Sequence, residues 1–427
     1  NCNFWEGTTS SDALVAANWS LGVLPGAAST DVLILRTLTN SCSYSSEGAD
    51  GSSKDLWIQE GATFNAGTNT YYVSGDFTNN GTFNASTGSV DMKGIVAQDV
   101  TGSSATTFYN FAVKNESTGV TLGAATTIQN TLSLTSGILD ASTSNLILTS
   151  AATVSGGDDL SHVKGTMLKT TAATSKFTFP LGDGTEFKSI AITPDGSNST
   201  VWTAEYFLQA TVPLAVTLDP NTTNVGDLDH VSTYEYWDLD RSGSADAIVE
   251  IAWVANNNVL AVPDLRLAHF DGTDWDNIAA SAVGVDASGV ITSGSAVSTF
   301  SPFTLASSST TNVLPIELVA FYGDKKQYSN VLNWTTASEI NNAFFTIEKS
   351  YNGFDFEFVG TQEGSSPSTK IINYSLSDYD VRKTINYYRL KQTDFDGKYV
   401  FSNTISIDNR NNYSDKEVLL KTNLLGQ

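Results

Sequence analysis

Cysteine and base are what this sequence has least of. Only Cys2 and Cys42 occur in 427 residues, and there are only three histidines. With no Cys-x-x-Cys pair and no Cys/His cluster, a structural zinc site fails on ligand number. Lys and Arg together number 22 against 45 Asp and Glu, a net charge of −23. A surface so poor in base cannot displace counterions from phosphates, so nucleic-acid binding is excluded. Adsorption to an anionic membrane falls with it. No apolar run reaches the roughly 18 residues that a membrane-spanning helix needs, so no span is expected. Charged residues of both signs make up only 16% of the chain. Thr, Ser, Asn and Gly replace them, interleaved with Val, Leu, Ile and Phe, a mixture that favours strands and turns over long helices. Hydrophobic residues at 40% and aromatics at 11% still supply real cores, which argues against disorder. The expected fold class is all-β, and the length suggests about three domains.

The chain opens on Asn1 rather than Met, with no charged-then-apolar leader, as expected if a signal peptide has been removed. That implies an oxidising compartment, in which Cys2 and Cys42 are a candidate disulfide. Closing that loop of about 41 residues would add roughly 3–4 kcal/mol. Two unpaired buried thiols are the alternative. A lipoprotein anchor would need Cys at position 1.

Charge density divides the chain. Residues 1–160 hold 4 basic and 14 acidic residues, 161–313 hold 6 and 17, and 314–427 hold 12 and 14. The third segment is almost neutral, and its boundary falls in the small-polar stretch Ser307-Ser-Ser-Thr-Thr-Asn312.

The first segment repeats itself. Thr63-Phe-Asn-Ala-Gly-Thr-Asn-Thr-Tyr-Tyr-Val-Ser-Gly75 aligns without gaps on Thr82-Phe-Asn-Ala-Ser-Thr-Gly-Ser-Val-Asp-Met-Lys-Gly94, with six of thirteen positions identical. A weaker copy runs from Ile138 to Ser150, and Thr106-Thr-Phe-Tyr-Asn110 recurs as Thr126-Thr-Ile-Gln-Asn130. A period near 20 is too short for a propeller blade and suits one coil of a β-solenoid. Stacked coils bury a continuous apolar column that no single repeat can bury alone. Phe64, Phe83 and Leu139 are therefore expected in register, facing inward. A low-complexity β-sandwich with chance similarity is the alternative.

The expected organisation is a capping region over 1–60, with Trp5, Trp19 and Trp57 as its apolar mass, then solenoid-like repeats over 61–160. A β-sandwich follows over 161–312, where short strands alternate with Asp-Gly turns (Asp183-Gly184, Asp195-Gly196, Asp271-Gly272). Residues 313–408 read as a second sandwich, with Trp334 in an early strand and Tyr387-Tyr388 in a late one, an immunoglobulin- or fibronectin-like layout. Residues 409–427 form a tail.

Leu314-Pro-Ile-Glu-Leu-Val-Ala-Phe321, Leu332-Asn-Trp-Thr-Thr-Ala-Ser-Glu-Ile-Asn-Asn342, Phe345-Thr-Ile-Glu-Lys-Ser350 and Tyr387-Tyr-Arg-Leu-Lys-Gln-Thr-Asp-Phe-Asp-Gly-Lys398 stand in this order near the C-terminus. Together they resemble the fibronectin-III-like module that precedes the sorting signal of Bacteroidota-type type IX secretion substrates. Lys416-Glu-Val-Leu-Leu-Lys-Thr-Asn-Leu-Leu-Gly-Gln427 is similar to the opening of the sorting domain itself. Shorter strings (Asn18-Trp-Ser20, Val23-Leu-Pro25, Phe179-Pro-Leu-Gly182, Ser301-Pro-Phe-Thr-Leu305) resemble repetitive surface proteins of the same bacteria. The resemblance implies export by the type IX machinery and a secreted or cell-surface location. It implies no activity.

Catalytic patterns are lacking. There is no Gly-x-Ser-x-Gly elbow and no phosphate-binding Gly-rich loop, and neither Cys has a nearby His. Of His162, His230 and His269, the last lies in the alternating strand Leu265–Phe270 and reads as a sheet-face histidine, and no enzyme is expected. Asp238-Leu-Asp-Arg-Ser-Gly243 copies the first half of a calcium loop, but Val249 stands where a bidentate Glu is needed. A hairpin turn is the better account, calcium is only weakly supported, and no cofactor is expected. The reading is a non-catalytic extracellular structural protein, an adhesin stalk or fibre subunit. The alternative is a carbohydrate-binding surface protein using Trp202, Trp253 or Trp275. In the tail, Val418, Leu419, Leu420, Leu424 and Leu425 form an apolar strand with no chain left to pair it. Its partner is expected to be either the export machinery or the sheet edge of a neighbouring copy in a head-to-tail fibre.

Overall fold

The computed structural model describes residues 2–25, 32–35, 42–43, 50–208, 224–225, 228–232, 235–254, 257, 259, 261–285, 287–300, 302–309, 318–336, 339, 342–365, 372–395, 399–402 and 404–410. These are almost all strand and turn, with no α-helix among them. They form two compact units, one ending at Ser309 and the other starting at Leu318.

The first unit begins as a β-solenoid of about six turns. Each coil gives one short strand to each of three parallel ladders. The first ladder stacks Cys2–Phe4, Val32–Leu35, Asp55–Ile58, Phe77–Asn79 and Gln98–Thr101, then later stretches of the long strands Thr106–Leu122 and Thr126–Leu148. The second stacks Cys42–Ser43, Thr63–Asn65 and Thr82–Asn84. The third stacks Gly51–Ser53, Thr70–Val73 and Ser89–Met92, middle stretches of the two long strands, and Thr153–Gly156.

The alternation within these strands decides what faces inward. Leu56, Phe77, Val100 and Leu122 stack along the first ladder, and Tyr71, Val90, Phe111 and Leu132 along the third; all are buried. On the second ladder the Phe64 and Phe83 rings stack at 6.0 Å, and Phe108 meets Phe83 at 5.3 Å. Burial of each such ring stabilises by about 1.5–3 kcal/mol, and stacking makes every coil cover the last. Outside, Asn84 donates to Asn65 at 2.7 Å and Asn130 to Asn110 at 2.8 Å, one coil apart in each case. Corners demand glycine where backbones touch. At Gly119 the φ of +118° is left-handed, and a Cβ there would sit 2.0 Å from the Ile138 carbonyl oxygen.

Two expectations need correction. Leu139 faces inward but pairs with Val120 and Val163 on the first ladder, not with the Phe64–Phe83 column. The strand-corner-strand pattern recurs at every corner of a three-sided coil, so a weak copy aligns as readily to the wrong face. Trp5 and Trp19 pack edge to face at 5.0 Å under the N-terminal loop, but Trp57 points outward and is 43% exposed.

The solenoid passes into a sandwich without a break in hydrogen bonding. Strand Val163–Thr171 runs parallel to Thr126–Leu148 on one edge and antiparallel to Thr200–Leu208 on the other. Beyond it the sheet continues through Glu235–Ser242, Phe303–Ser307, Leu265–Phe270 and Trp275–Asn277. A second, antiparallel sheet comprises Phe177–Phe179, Ile190–Pro194, Ala247–Val254, Ser288–Ser293 and Ala279–Val285. Trp202, Trp237, Trp253, Ile192, Ile251 and Phe303 are buried in one core continuous with that of the coils.

The second unit is a fibronectin/immunoglobulin-like sandwich. Leu318–Lys325, Asn330–Thr336 and Ile372–Asp378 form one sheet. Glu357–Glu363, Asn342–Ser350 and Ile385–Asp394 form the other, with Tyr399–Phe401 and Ile405–Asp408 both paired to its last strand. Trp334 fills the core against Phe345 and Tyr374. The recognisable string that holds Trp334 also carries Glu339, a buried carboxylate. It accepts hydrogen bonds from the Thr336 hydroxyl (2.8 Å), Asn342 Nδ2 (3.0 Å), the Ser365 N–H (2.6 Å) and the Tyr374 hydroxyl. Asn409, counted in sequence with the tail, is buried and bonded to Asn330 and Asn386, so the sandwich ends beyond it.

Candidate functional site

Two of the three histidines lie in well-defined surroundings. His162 is buried; its Nε2 accepts the Gly184 N–H at 2.9 Å and its Nδ1 lies 3.0 Å from the Asp158 carbonyl, fixing two turns. His269 packs on Phe303 at 4.8 Å, and burial pushes its pKa below the usual imidazole value. The His230 side chain lies outside the described residues. Asp238 and Asp240 stand on strand Glu235–Ser242, and Arg241 of the same stretch pairs with Asp246 across the following turn. Among the described residues no three His, Cys, Asp or Glu side chains converge to hold a metal. None of their helices is long and apolar enough to cross a membrane.

Cys2 and Cys42 belong to strands of the first and second ladders, but their side chains lie outside the described residues. Val418, Leu419, Leu420, Leu424 and Leu425 also lie outside them. The three tryptophans offered for sugar stacking are core residues. Trp202 and Trp275 are 0% exposed and Trp253 is 1%. Trp202 Nε1 donates to Thr171 Oγ1 at 2.8 Å and Trp253 Nε1 to the Val285 carbonyl at 3.1 Å.

Two arrangements remain that composition and motif could not foresee. The first is a surface. On the outer face of the second unit, the Arg389 guanidinium lies 4.0 Å from the Phe356 ring centre and 3.9 Å from that of Phe401, while its Nε holds Glu348 Oε2 at 2.8 Å. Lys391 sits 3.8 Å over Tyr399. Phe344, Phe358 and Tyr399 are exposed around them. Aromatic residues and Arg, both present here, are enriched at protein interfaces.

The second is interior. Lys188, Glu235 and Asn257 are all at most 1% exposed between the two sheets of the first sandwich. Lys188 lies two residues before the second sheet's strand Ile190–Pro194, Glu235 opens a strand of the first sheet, and Asn257 lies three residues after strand Ala247–Val254. Lys188 Nζ lies 3.2 Å from Glu235 Oε2, 3.2 Å from Glu186 Oε2 and 3.4 Å from Asn257 Oδ1. Asn257 Nδ2 donates to Glu235 Oε1, and the Val254 N–H donates to Asn257 Oδ1 at 2.7 Å. The Tyr206 hydroxyl donates to Glu235 Oε2 at 2.7 Å, and Trp237 Nε1 holds the Lys188 carbonyl at 2.9 Å. An amine, a carboxylate and a carboxamide thus meet at one buried point. Nothing in their spacing along the chain marks them out.

No family model and no curated protein matches this chain. Among solved structures, a cytokine receptor complex matches at 11% identity with a TM-score of 0.20, over 38% of this chain and 91% of that one. The β-1,2-glucanase from Parabacteroides distasonis matches at 11% identity with a TM-score of 0.17, over 56% of this chain and 34% of that one. At such scores neither carries an argument about fold or activity.

Proposed function

We propose that this chain is a non-catalytic structural protein of the bacterial surface, an adhesin stalk or fibre subunit exported by the type IX secretion machinery. The observation that carries this reading is strand Val163–Thr171, which hydrogen-bonds the last coil of the solenoid directly to the sandwich. A flexible linker would let the two parts move apart under load, whereas a shared ladder must be broken rung by rung. That is a property useful in a stalk and indifferent to catalysis. The strings of the second unit that resemble the module before type IX sorting signals support the export route. The exposed Arg389–Phe401 face supplies a surface for a protein partner. The glycan-binding alternative loses Trp202, Trp253 and Trp275, which are buried, and is not carried further.

Antibody labelling of intact producing cells, with and without a functional type IX system, tests the reading. Surface label that disappears in the export-deficient strain, with the protein retained inside, is expected. Undiminished surface label in that strain overturns the export route, and protein confined to the cytoplasm of wild-type cells overturns the whole reading.

A further inference from the structure

We propose that Lys188 and Asn257 join covalently, through an isopeptide bond that the protein forms on itself with Glu235 as the proton carrier. The proposal does not depend on the surface-protein reading, since it concerns only the chemistry of one buried cluster.

Three features of the cluster match what amide exchange between side chains requires. The nucleophile is close, with Lys188 Nζ at 3.4 Å from Asn257 Oδ1, the oxygen bonded to the carbon it must reach. Holding the amine beside the carboxamide in this way makes the reaction intramolecular and removes the cost of bringing the two groups together. The carbonyl is polarised by the Val254 N–H at 2.7 Å, which is placed to hold the negative charge that develops on Oδ1. One carboxylate touches both nitrogens, Lys188 Nζ through Oε2 at 3.2 Å and Asn257 Nδ2 through Oε1. Glu235 itself is fixed by the Tyr206 hydroxyl.

The step balances without any further reactant. Glu235 takes a proton from the Lys188 ammonium, and the freed lone pair on Nζ attacks Asn257 Cγ. A C–N bond forms while the C=O electrons move to Oδ1. The intermediate collapses by breaking the Cγ–Nδ2 bond. Two protons in all pass from Nζ to Nδ2 through Glu235, so the amide nitrogen leaves as ammonium and the carboxylate is restored. No oxidation state changes. Burial serves the reaction by keeping water from Asn257 Cγ, where it would compete with the amine and hydrolyse the side-chain amide.

The location gives the bond a mechanical sense. Strands Ile190–Pro194 and Ala247–Val254 pair antiparallel, with Ile190 opposite Ile251. The bond would close their shared end, beside the strand that opens at Glu235. Lys188 already has two carboxylates around it, so the cluster also satisfies the charge as an ion pair. The two accounts differ in covalent mass.

Intact mass spectrometry of the purified, denatured protein, followed by tryptic peptide mapping, decides between them. A covalent product is lighter than the sequence mass by one ammonia, about 17 Da. Trypsin, blocked at Lys188, then leaves a branched peptide joining residues 177–241 to residues 242–266. The expected result is that branched peptide in the wild type and its loss in Glu235→Gln, which keeps the shape of the carboxylate. A wild-type protein at its full sequence mass, giving separate peptides cut after Lys188, overturns the proposal. So does a mass deficit that maps to an asparagine without the branched peptide. The wild-type measurement decides even if the variant fails to fold.

Discussion

Lys169 sits where the last coil turns into the sandwich, and its burial sets a pH dependence. Its Nζ donates to the carbonyls of Thr149 (2.7 Å), Ser150 (3.1 Å) and Ala152 (2.6 Å), closing the solenoid's final corner, and lies 5.0 Å from the Phe177 ring centre. Desolvation lowers its pKa from 10.5 to about 8. The sign follows from linkage. Between those two values the unfolded chain binds more protons at this lysine than the folded one, so its contribution to stability rises with pH through that window. Below about pH 8 the lysine is charged in both states and the burial penalty is borne in full. Lys169→Met removes the titration and keeps the apolar stem. Urea unfolding of wild type and variant at pH 7.5 and pH 10 is expected to show the wild type gaining on the variant at the higher pH. A difference that stays constant, or moves the other way, removes the claim.

At the scale of the element, the coil is a backbone device as much as an apolar one. Gly119 and Gly272 both have a left-handed φ, +118° and +101°. A Cβ at Gly119 would overlap the neighbouring coil, 2.0 Å from the Ile138 oxygen, whereas at Gly272 nothing lies within 4 Å. Gly272→Ala is expected to cost only the conformational strain, about 1–2 kcal/mol. Gly119→Ala adds a forced opening of one rung between coils and is expected to exceed it by about 2 kcal/mol or more. Chemical denaturation gives both values, and equal costs would mean that the rung yields freely. Glycine placement of this kind escapes a search for apolar repeats, which explains what was legible beforehand. The Phe64–Phe83 and Thr106–Thr126 pairs were readable because each repeats the same corner of the coil on the same face. Leu139 was not, because a corner pattern does not say which of three faces it belongs to. Trp334 and the string around it announced the second sandwich, since a large apolar side chain within a short alternating strand is a local pattern. Lys188, Glu235 and Asn257 had no such signal. They come from three strand ends, and only the packing of two sheets brings them into one pocket.

At the scale of the whole molecule, charge bears on how copies would meet. Residues 1–313 carry 31 acidic residues against 10 basic, while 314–427 is nearly balanced. Copies therefore repel wherever two acidic segments approach, and the least costly contact involves the C-terminal part. Asn409 is bonded into the second sandwich, so a deletion that leaves that domain intact must begin at residue 411 rather than at 409. The donor-strand expectation rests on Val418, Leu419, Leu420, Leu424 and Leu425, which lie outside the described residues. A strand donated to the sheet edge of the next copy is heterologous and propagates; a strand read by the export machinery does not. Purified protein ending at residue 410 and the chain ending at residue 427 are to be compared by negative-stain microscopy at low and physiological salt. Donor-strand assembly predicts fibres only for the longer chain. It also predicts more of them at about 150 mM salt, where the Debye length has shrunk to about 8 Å and repulsion between acidic segments is screened. Fibres from both chains would exclude the tail as the joining strand. Monomers from both would leave the tail to export, and the shorter chain should then fail to leave the cell.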